Sequence, residues 1–298
     1  MYSHKIFKPI TIADKEIIEQ FVLRSPYQIC NFSFANLIIW NSIFTPQYAI
    51  IDNCLVIKSH IEKTYYNFPI GNGDKKAIIA YLMSEQQQKN SPFLMTNITE
   101  SMKADLETWF PNTFRFFSNR DFSDYLYLRK DLVDLAGKKY QPKRNHIHQF
   151  EHLYHYVYKT IEDEDIAECL TMHAHWIENV SEEENNFSLQ QETAAVHIAF
   201  KYFHELNMKG GLLKIDNDIV AFTLGCPINE DTFDVNIEKA KKNVHGAYTM
   251  INKLFVEHEL TDYTYINRED DLGESGLRQA KLSYHPYALL EKYTAEKI

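Results

Sequence analysis

A short basic loop followed by glycine could bind an anion. The loop precedes a predicted helix over 247–260, and the unpaired N–H groups and the dipole at a helix N-terminus favour a phosphate or pyrophosphate. Glycine lets the backbone approach a ligand closely, and lysines supply counter-charge. The candidate residues of this loop are Lys241, Lys242, Asn243, His245, Gly246 and Ala247. The alternative is an ordinary lysine-rich loop that glycine caps.

A second group of cations stands in the middle of an otherwise acidic chain. Its candidate residues for contact with RNA phosphate or another anion are Lys138, Lys139, Lys143, Arg144 and Asn145. An arginine can bind a phosphate through two parallel hydrogen bonds, which favours Arg144 in this role. The alternative is the solvated start of a helix, which is what runs of charge usually mark. Because the composition changes here, we place a domain junction near Gly137.

A third group of charges follows a predicted strand over 263–267. Its candidate substrate-binding residues are Arg268, Asp270, Asp271, Arg278 and Lys281. The segment 270–273 reads as a turn directly after the strand, and loops at strand ends commonly carry function. The alternative is a network of surface salt bridges, which contributes little to stability.

Metal binding is not expected. The chain has 13 histidines, but the pairs His146/His148 and His173/His175 are two residues apart and therefore lie on different faces of a helix. None of the histidines follows a glutamate in the Glu-x-x-His pattern of a zinc site. The 4 cysteines show no Cys-x-x-Cys spacing, which predicts buried thiols in a reducing compartment.

The composition is that of a folded chain of about two domains. Hydrophobic residues make up 45% of the 298 residues, which is enough to exclude disorder as the main state. The 9 glycines disfavour a protein built on several glycine-rich phosphate loops, and the net charge of −10 disfavours wrapping of nucleic acid by overall charge. No apolar run approaches the ~18 residues of a membrane span, and the first residues do not resemble a signal peptide. We therefore expect a cytoplasmic protein.

The pattern of elements predicts an α+β fold. In the first half, strands over 48–51 and 55–60 flank the turn Asp52-Asn53, and helices are predicted over 75–88 and 100–109. In the second half, helices over 164–180 and 190–206 precede an antiparallel meander over 210–215, 219–225 and 232–238. The loop and helix described above follow, and then come the strand over 263–267 and a helix over 275–283.

This order of meander, loop, helix, strand and helix resembles an acyl-CoA N-acyltransferase domain of the GNAT superfamily. Two stretches, 135–150 and 236–286, carry a closer resemblance; the second contains Tyr265-Ile266-Asn267-Arg268-Glu269-Asp270-Asp271-Leu272-Gly273. They are similar to the family of the phosphatidylglycerol lysyltransferase C-terminal domain, and the similarity extends over nearly the whole chain. The resemblance implies two tandem GNAT-like domains, 1–136 and 137–298, each a mixed, mainly antiparallel sheet flanked by helices.

The resemblance also implies acyl transfer in the second domain, with no active site expected in the first. The donor would be aminoacyl-tRNA or acyl-CoA, with coenzyme A as the candidate cofactor, and the acceptor a small amine, a peptide or a lipid head group. Such a reaction needs a base, stabilisation of an oxyanion and an acid for the leaving group. Glu238 is the candidate base or ammonium-binding group, Asn267 could hydrogen-bond the donor or the reacting carbonyl, and Tyr284 resembles the tyrosine acid of GNAT enzymes. Alternatively, Glu238 is a strand-end carboxylate paired with a lysine.

Two rival functions remain open at the level of sequence. The first is a coenzyme A-dependent N-acetyltransferase that acts on a small amine or a peptide. The second is a non-catalytic module that retains the fold and uses the basic segment over 138–144 to recognise tRNA or a protein partner.

Overall fold

The computed structural model describes residues 7–178 and 186–298. The helices are α1 (Lys15–Val22), α2 (Phe34–Ile39), α3 (Asn41–Phe44), α4 (Lys75–Gln88), α5 (Glu100–Trp109), α6 (Arg129–Asp134), α7 (Gln141–Leu153), α8 (Asp163–Glu178), α9 (Asn186–Lys201), α10 (Ala247–Glu259) and α11 (Ser275–Leu282). The strands are β1 (Lys8–Pro9), β2 (Gln47–Ile51), β3 (Cys54–His60), β4 (Thr64–Tyr66), β5 (Ile70–Gly71), β6 (Leu94–Ile98), β7 (Phe114–Ser118), β8 (Asp124–Leu128), β9 (Tyr156–Thr160), β10 (Lys209–Ile215), β11 (Asp218–Pro227), β12 (Thr232–Ala240), β13 (Tyr265–Asn267), β14 (Ala288–Leu290) and β15 (Tyr293–Lys297).

The chain divides into two compact units whose limits differ from the predicted junction near Gly137. One unit comprises residues 7–124, Asp270–Arg278 and Leu289–Ile298, and the other comprises Tyr125–Glu269 and Gln279–Ala288. Residues 125–136 lie in the second unit because β8 pairs with β13 there and Leu132 and Leu135 join its core. The end of the chain lies in the first unit because β15 pairs with both β6 and β7.

The first unit is built around a sheet with the order β1-β2-β3-β4-β6-β15-β7, and β5 also pairs with β3. The predicted turn between β2 and β3 is present: Asp52 and Asn53 both have positive φ, 45° and 54°, as a tight two-residue hairpin requires. Helices α4 and α5 have the predicted bounds. Asp74 and Thr99 cap them by accepting hydrogen bonds from backbone N–H groups of the first turn.

The second unit contains a sheet in which six strands have the order β8-β13-β12-β11-β10-β9. The predicted meander is present as β10, β11 and β12, which pair antiparallel, whereas β12 and β13 are parallel. The edge strand β9 is an addition to the predicted elements, whereas helix α7 begins within the basic segment, as the alternative interpretation of that segment expects. Helix α8 covers the described part of the predicted helix over 164–180, whose last two residues lie outside the described residues, and α9 begins and ends earlier than its prediction.

The core of the second unit lies between its sheet and helices α6, α7 and α10. Phe150 of α7, Phe233 of β12 and Phe255 of α10 are fully buried in it. Burying a phenylalanine side chain contributes about 1.5–3 kcal/mol, so these contacts hold α7 and α10 against one face of the sheet. Among the helices in the described ranges, none has both the length and the apolar character needed to cross a bilayer.

Candidate active site

The candidate site of the second unit lies where two parallel strands part. β12 and β13 pair only over Thr232–Asp234 and Tyr265–Asn267, after which β13 ends and β12 continues to Ala240. Glu238 therefore lies on a part of β12 that has no pairing with β13. In open α/β sheets ligands bind in the crevice outside the carboxyl ends of such strands.

A β-bulge in β12 turns Glu238 toward helix α10. Leu224 pairs with Ile237 and Cys226 pairs with Asp234, so β12 has one residue more than β11 in this interval. An extra residue reverses the alternation of side chains across the sheet. As a result Phe233 and Glu238, an odd number of positions apart, both contact α10: one ring packs against Phe255 and the carboxylate accepts a bond from Asn252.

Gly225 makes room for this bulge. A Cβ atom at this position would lie 1.9 Å from the carbonyl oxygen of Asp234 on the facing strand. No side chain fits at that distance, so glycine is needed here for close approach of the two backbones. The single glycine thus helps to determine which face of the sheet presents Glu238.

Glu238 forms a largely buried ion pair with Arg268. Nη2 of Arg268 lies 2.8 Å from Oε1 of Glu238, and the two side chains are only 11% and 13% exposed. The other carboxylate oxygen, Oε2, accepts a 3.1 Å hydrogen bond from Nδ2 of Asn252. Burial alone would lower the pKa of Arg268, but the adjacent carboxylate more than offsets it and the pKa is raised.

Two polar atoms of this cluster have no hydrogen-bond partner among the described residues. They are Nη1 of Arg268, a donor, and Oδ1 of Asn252, an acceptor, and both are buried. A buried polar group left unpaired costs about 1–3 kcal/mol, so native proteins rarely leave two of them in one cluster without a role. A ligand that offers one oxygen and one N–H group would satisfy both atoms.

Aromatic rings enclose the guanidinium of Arg268. Its Cζ lies 4.8 Å from the ring centre of Tyr284 and 5.7 Å from that of Tyr127. Burial raises the pKa of Tyr284, so its hydroxyl stays protonated and able to donate near neutral pH. Lys281 donates a 2.6 Å hydrogen bond to the backbone oxygen of Arg268 and so helps to hold the arginine in place.

Lys143 lies in the same cluster, although the sequence grouped it with the candidate RNA contacts. Its Nζ is 3.8 Å from the ring centre of Tyr284, and the side chain is half-buried in the first turn of α7. Burial and, to a smaller extent, the charge of Arg268 lower the pKa of Lys143 to about 8, although Glu238 acts in the opposite direction. Apart from the ring contact, the described residues offer its ammonium group neither a hydrogen bond nor an ion pair within bonding distance.

The other residues of the basic segment lie elsewhere. Arg144 donates through Nη1 to the backbone oxygens of Leu135 and Gly137, so its guanidinium fastens the chain that precedes α7. Lys139 lies 3.9 Å from a carboxylate oxygen of Asp131. Lys138 and Asn145 are exposed. Their contact with RNA or another anion stays a prediction.

Three side chains of the predicted anion-binding loop have partners in the second unit. Lys241 pairs with Asp218, and Nζ of Lys242 lies 5.8 Å from the ring centre of Trp176. Nε2 of His245 is 2.7 Å from Oε1 of Gln149. Asn243 is exposed.

Gly246 and Ala247 start helix α10 as predicted. Gly246 has φ of +82°, and a Cβ at this position would lie 2.7 Å from the backbone oxygen of His146. The N–H of Ala247 donates to Val244, which leaves N–H groups of the following first-turn residues for a ligand. The geometry is compatible with an anion at this helix start, and the binding of one stays a prediction.

Three residues of the third charged group lie in the first unit, where they pair with neighbours. Asp271 is fully buried and accepts hydrogen bonds from Arg278 and Arg120. Arg278 also reaches Asp121 at 2.6 Å, and Asp270 lies 3.5 Å from Nζ of buried Lys292. These contacts give the three residues a structural function, and substrate binding by them stays a prediction.

Asn267 is fully buried at the end of β13, where Oδ1 accepts a 2.7 Å bond from the N–H of Glu269. It thereby fixes the turn that carries Arg268. The sequence named Glu238, Tyr284, Arg268 and Lys281 as site residues, whereas Asn252 stood only within the stretch 236–286 that carries the family resemblance. A buried asparagine on the apolar face of α10 is the signal that could have found this residue.

Comparison with known proteins places this chain in a family. The family model described as phosphatidylglycerol lysyltransferase, C-terminal, matches residues 24–296. An uncharacterised protein of Mycoplasmoides gallisepticum is 25% identical over 180 residues, which are 59% of this chain and 56% of that protein. The chain thus matches little more than half the length of this curated relative.

Solved structures show the same fold. A conserved protein of unknown function from Bacteroides thetaiotaomicron has 42% identity and a TM-score of 0.94, covering 99% of this chain and 100% of that one. L-PGS from Bacillus licheniformis has 16% identity and a TM-score of 0.66, covering 100% and 94%. A tandem GNAT protein from the clavulanic acid biosynthesis pathway has 10% identity and a TM-score of 0.51, covering 98% of each chain.

The fold is therefore α+β and of the GNAT type, with two mainly antiparallel sheets, as the sequence predicts. The chain belongs to the phosphatidylglycerol lysyltransferase C-terminal family.

Proposed function

We propose that this chain transfers an aminoacyl group from aminoacyl-tRNA to an amine or hydroxyl acceptor. One observation carries the proposal: Nη1 of Arg268 and Oδ1 of Asn252 are buried, unpaired among the described residues, and joined through Glu238 in one cluster. An α-aminoacyl ester offers a carbonyl oxygen to the first atom and an ammonium group to the second. The family name, which specifies lysyl transfer, supports this assignment.

Each side chain of the cluster then has a defined task. Arg268 donates from Nη1 to the carbonyl oxygen and stabilises the negative charge that develops when the acceptor attacks. Asn252 and the remaining lone pairs of Glu238 bind the α-ammonium group, since a carboxylate has about four acceptor positions. Tyr284, kept neutral by burial, donates toward the leaving oxygen of the donor.

The acceptor is proposed from the family alone. Phosphatidylglycerol is the acceptor that the family name specifies, and a small amine or peptide would need the same chemistry. Vesicles containing phosphatidylglycerol are therefore the first probe, and a mixture of small amines is the second. We expect the reaction to take place in the cytoplasm, where aminoacyl-tRNA is available.

The test measures loss of the aminoacyl group from total tRNA charged with radioactive amino acids, with and without each acceptor. We expect the wild-type chain to transfer label to an acceptor, and Arg268→Lys to lose at least ~100-fold because Lys lacks the planar pair of donors. Lys130→Arg, an exposed cation on α6, is the matched control and should act as wild type. Label that stays on the tRNA with both acceptors would contradict the proposal.

A coenzyme A-dependent acyltransferase is the second candidate, favoured by the glycine-led start of α10. Native mass spectrometry with coenzyme A and acetyl-coenzyme A distinguishes the two donors. A stoichiometric adduct that is lost in Lys241→Ala/Lys242→Ala would make acyl-CoA the donor and the loop its site. Absence of an adduct at high micromolar ligand would leave aminoacyl-tRNA as the donor. The non-catalytic binding module is not favoured by the family.

A further inference from the structure

We propose, on the basis of the proposed function, that Lys143 is the catalytic base of the transfer. Its Nζ lies against Tyr284 and close to the Glu238–Arg268 pair, so it borders the position where the donor carbonyl would lie. In this role the uncharged amine of Lys143 takes the proton from the attacking amine or hydroxyl of the acceptor.

The surroundings of Lys143 oppose its positive charge from several directions. The side chain is half-buried, and the first turn of α7 places it at the positive end of that helix dipole. Arg268, beyond β13, repels it, and His146 on the next turn of α7 is a further titratable neighbour. Glu238 on β12 has the opposite effect, because its negative charge favours the charged form of Lys143. The phenol of Tyr284 faces Lys143 and carries no charge.

The result is a lysine that loses its proton within reach of physiological pH. Burial is the largest cause, and it lowers the pKa of Lys143 to about 8 from 10.5. A base whose pKa lies close to the working pH combines a useful fraction of free amine with adequate basicity. A lysine that served only to hold a phosphate would gain by keeping its charge.

Glu238 is less suited to this step because its oxygens already have partners. Oε1 accepts from Arg268 and Oε2 accepts from Asn252. The remaining lone pairs of this carboxylate bind the α-ammonium group of the donor in the proposed function, so they are not available for the proton of the acceptor. Nζ of Lys143 has no such bond to break among the described residues.

The lone pair of Nζ accepts the proton of the acceptor O–H or N–H, and the electrons of that bond remain on the acceptor atom. This atom forms a bond to the carbonyl carbon, and the tetrahedral intermediate then expels the 3′-oxygen of the tRNA. The ammonium of Lys143, directly or through Tyr284, returns the proton to that oxygen, so that the amine is regenerated.

The first arm of the test measures the pKa of Lys143 directly. Protein labelled with ¹³C at lysine Cε is titrated by NMR from pH 6 to pH 11, and the Lys143→Arg variant assigns the signal. We expect one signal with a midpoint of about 8 that is missing in Lys143→Arg and present in the Lys130→Arg control. A midpoint near 10.4, the ordinary value for lysine, would overturn the proposal whatever the activity.

The second arm measures single-turnover transfer from charged tRNA as a function of pH. We expect the wild-type rate to rise with pH to a plateau with the same midpoint, and Lys143→Arg to lose about 10²–10⁴-fold with a flat profile, since arginine cannot act as a base. Binding of the charged tRNA should change less than ~3-fold because the positive charge is kept.

The outcomes separate the two proposals. Transfer by Lys143→Arg at near wild-type rates would overturn the role of Lys143 and leave the proposed function intact. Transfer by neither the wild-type chain nor Lys130→Arg, with either acceptor, would refute the proposed function and with it this role. A tRNA affinity that falls together with the rate in Lys143→Arg would identify an RNA contact instead of a base.

Discussion

Replacement of Arg268 by methionine tests whether the buried ion pair serves function at the expense of stability. Methionine matches the length of the arginine stem and removes the guanidinium, which leaves the Glu238 carboxylate largely buried with Asn252 as its partner. We expect the free energy of unfolding to fall, because removal of one member of a buried pair leaves a charge without compensation. Glu238→Gln should be destabilising for the converse reason.

The structure sets the size of these effects. The two side chains are 11% and 13% exposed, so solvent screens them weakly. Breaking such a pair from one side costs about 3–5 kcal/mol, whereas replacing both partners together is often nearly neutral. The double variant Glu238→Gln/Arg268→Met should therefore recover most of the loss, which gives a coupling energy of at least about 2 kcal/mol.

The assay is equilibrium unfolding in urea at pH 7, performed on wild type, both single variants and the double variant. A parallel cycle with Lys253→Met and Glu257→Gln is the control, since these residues form an ion pair on the partly exposed side of the same helix, α10. Its coupling energy should be about 0.2–0.5 kcal/mol, as for other pairs four residues apart. Transfer activity should be lost by at least ~100-fold in the double variant although it is folded.

The reasoning would be refuted by two results. One is a coupling energy for Glu238 and Arg268 no larger than that of the control pair, which would mean that the site is open to solvent. The other is a double variant that keeps transfer activity, which would mean that the pair is a structural element unrelated to the reaction.

Two further predictions concern the glycine opposite the bulge and a buried histidine of α8. Gly225→Ala should destabilise the chain by about 1–3 kcal/mol and reduce transfer, because the new Cβ would collide with the carbonyl oxygen of Asp234 in the bulge. The control is Gly276→Ala in α11, where the Cβ would meet open space. In thermal unfolding this control should be neutral or stabilising. Burial lowers the pKa of His173 to about 4, so between pH 6.5 and 4 the unfolded chain binds the proton more readily and stability falls as pH falls. From pH 7 to pH 5 the free energy of unfolding, measured by urea titration, should fall by about 2 kcal/mol. This fall should be absent in His173→Phe. An equal fall in that variant would show that another group is responsible.

Local elements were accessible from the sequence because their signals lie within a few residues. Asp52-Asn53 between two apolar runs specifies a hairpin turn, and α4 and α5 begin after the capping residues Asp74 and Thr99. The meander of β10, β11 and β12 and the start of α10 after Gly246 followed from the same kind of signal. Turns, helix caps and hydrophobic periodicity are properties of neighbouring residues, so they can be recognised in the sequence without knowledge of the fold.

The sequence did not show in the same way which strands belong to which unit. Composition changes near Gly137, but β8 ends up in the sheet with β13, and β15 pairs with β6 and β7 of the first unit. The pairing of strands that are far apart in sequence depends on which strand edges and apolar faces are still exposed when the rest of each sheet has formed. No local pattern around these strands records their partners.

The sequence by itself determined which residues could do chemistry at the end of the chain: Glu238, Arg268 and Tyr284 all stand in recognisable motifs or at strand ends. Only the tertiary structure decided which of them meet. It joined Lys143 of α7 and Asn252 of α10 to that group, while Asp271 and Arg278 paired within the first unit. The physical reason is that a bulge opposite Gly225 and the parting of β12 from β13 set the direction of each side chain, and both depend on contacts between residues far apart in sequence.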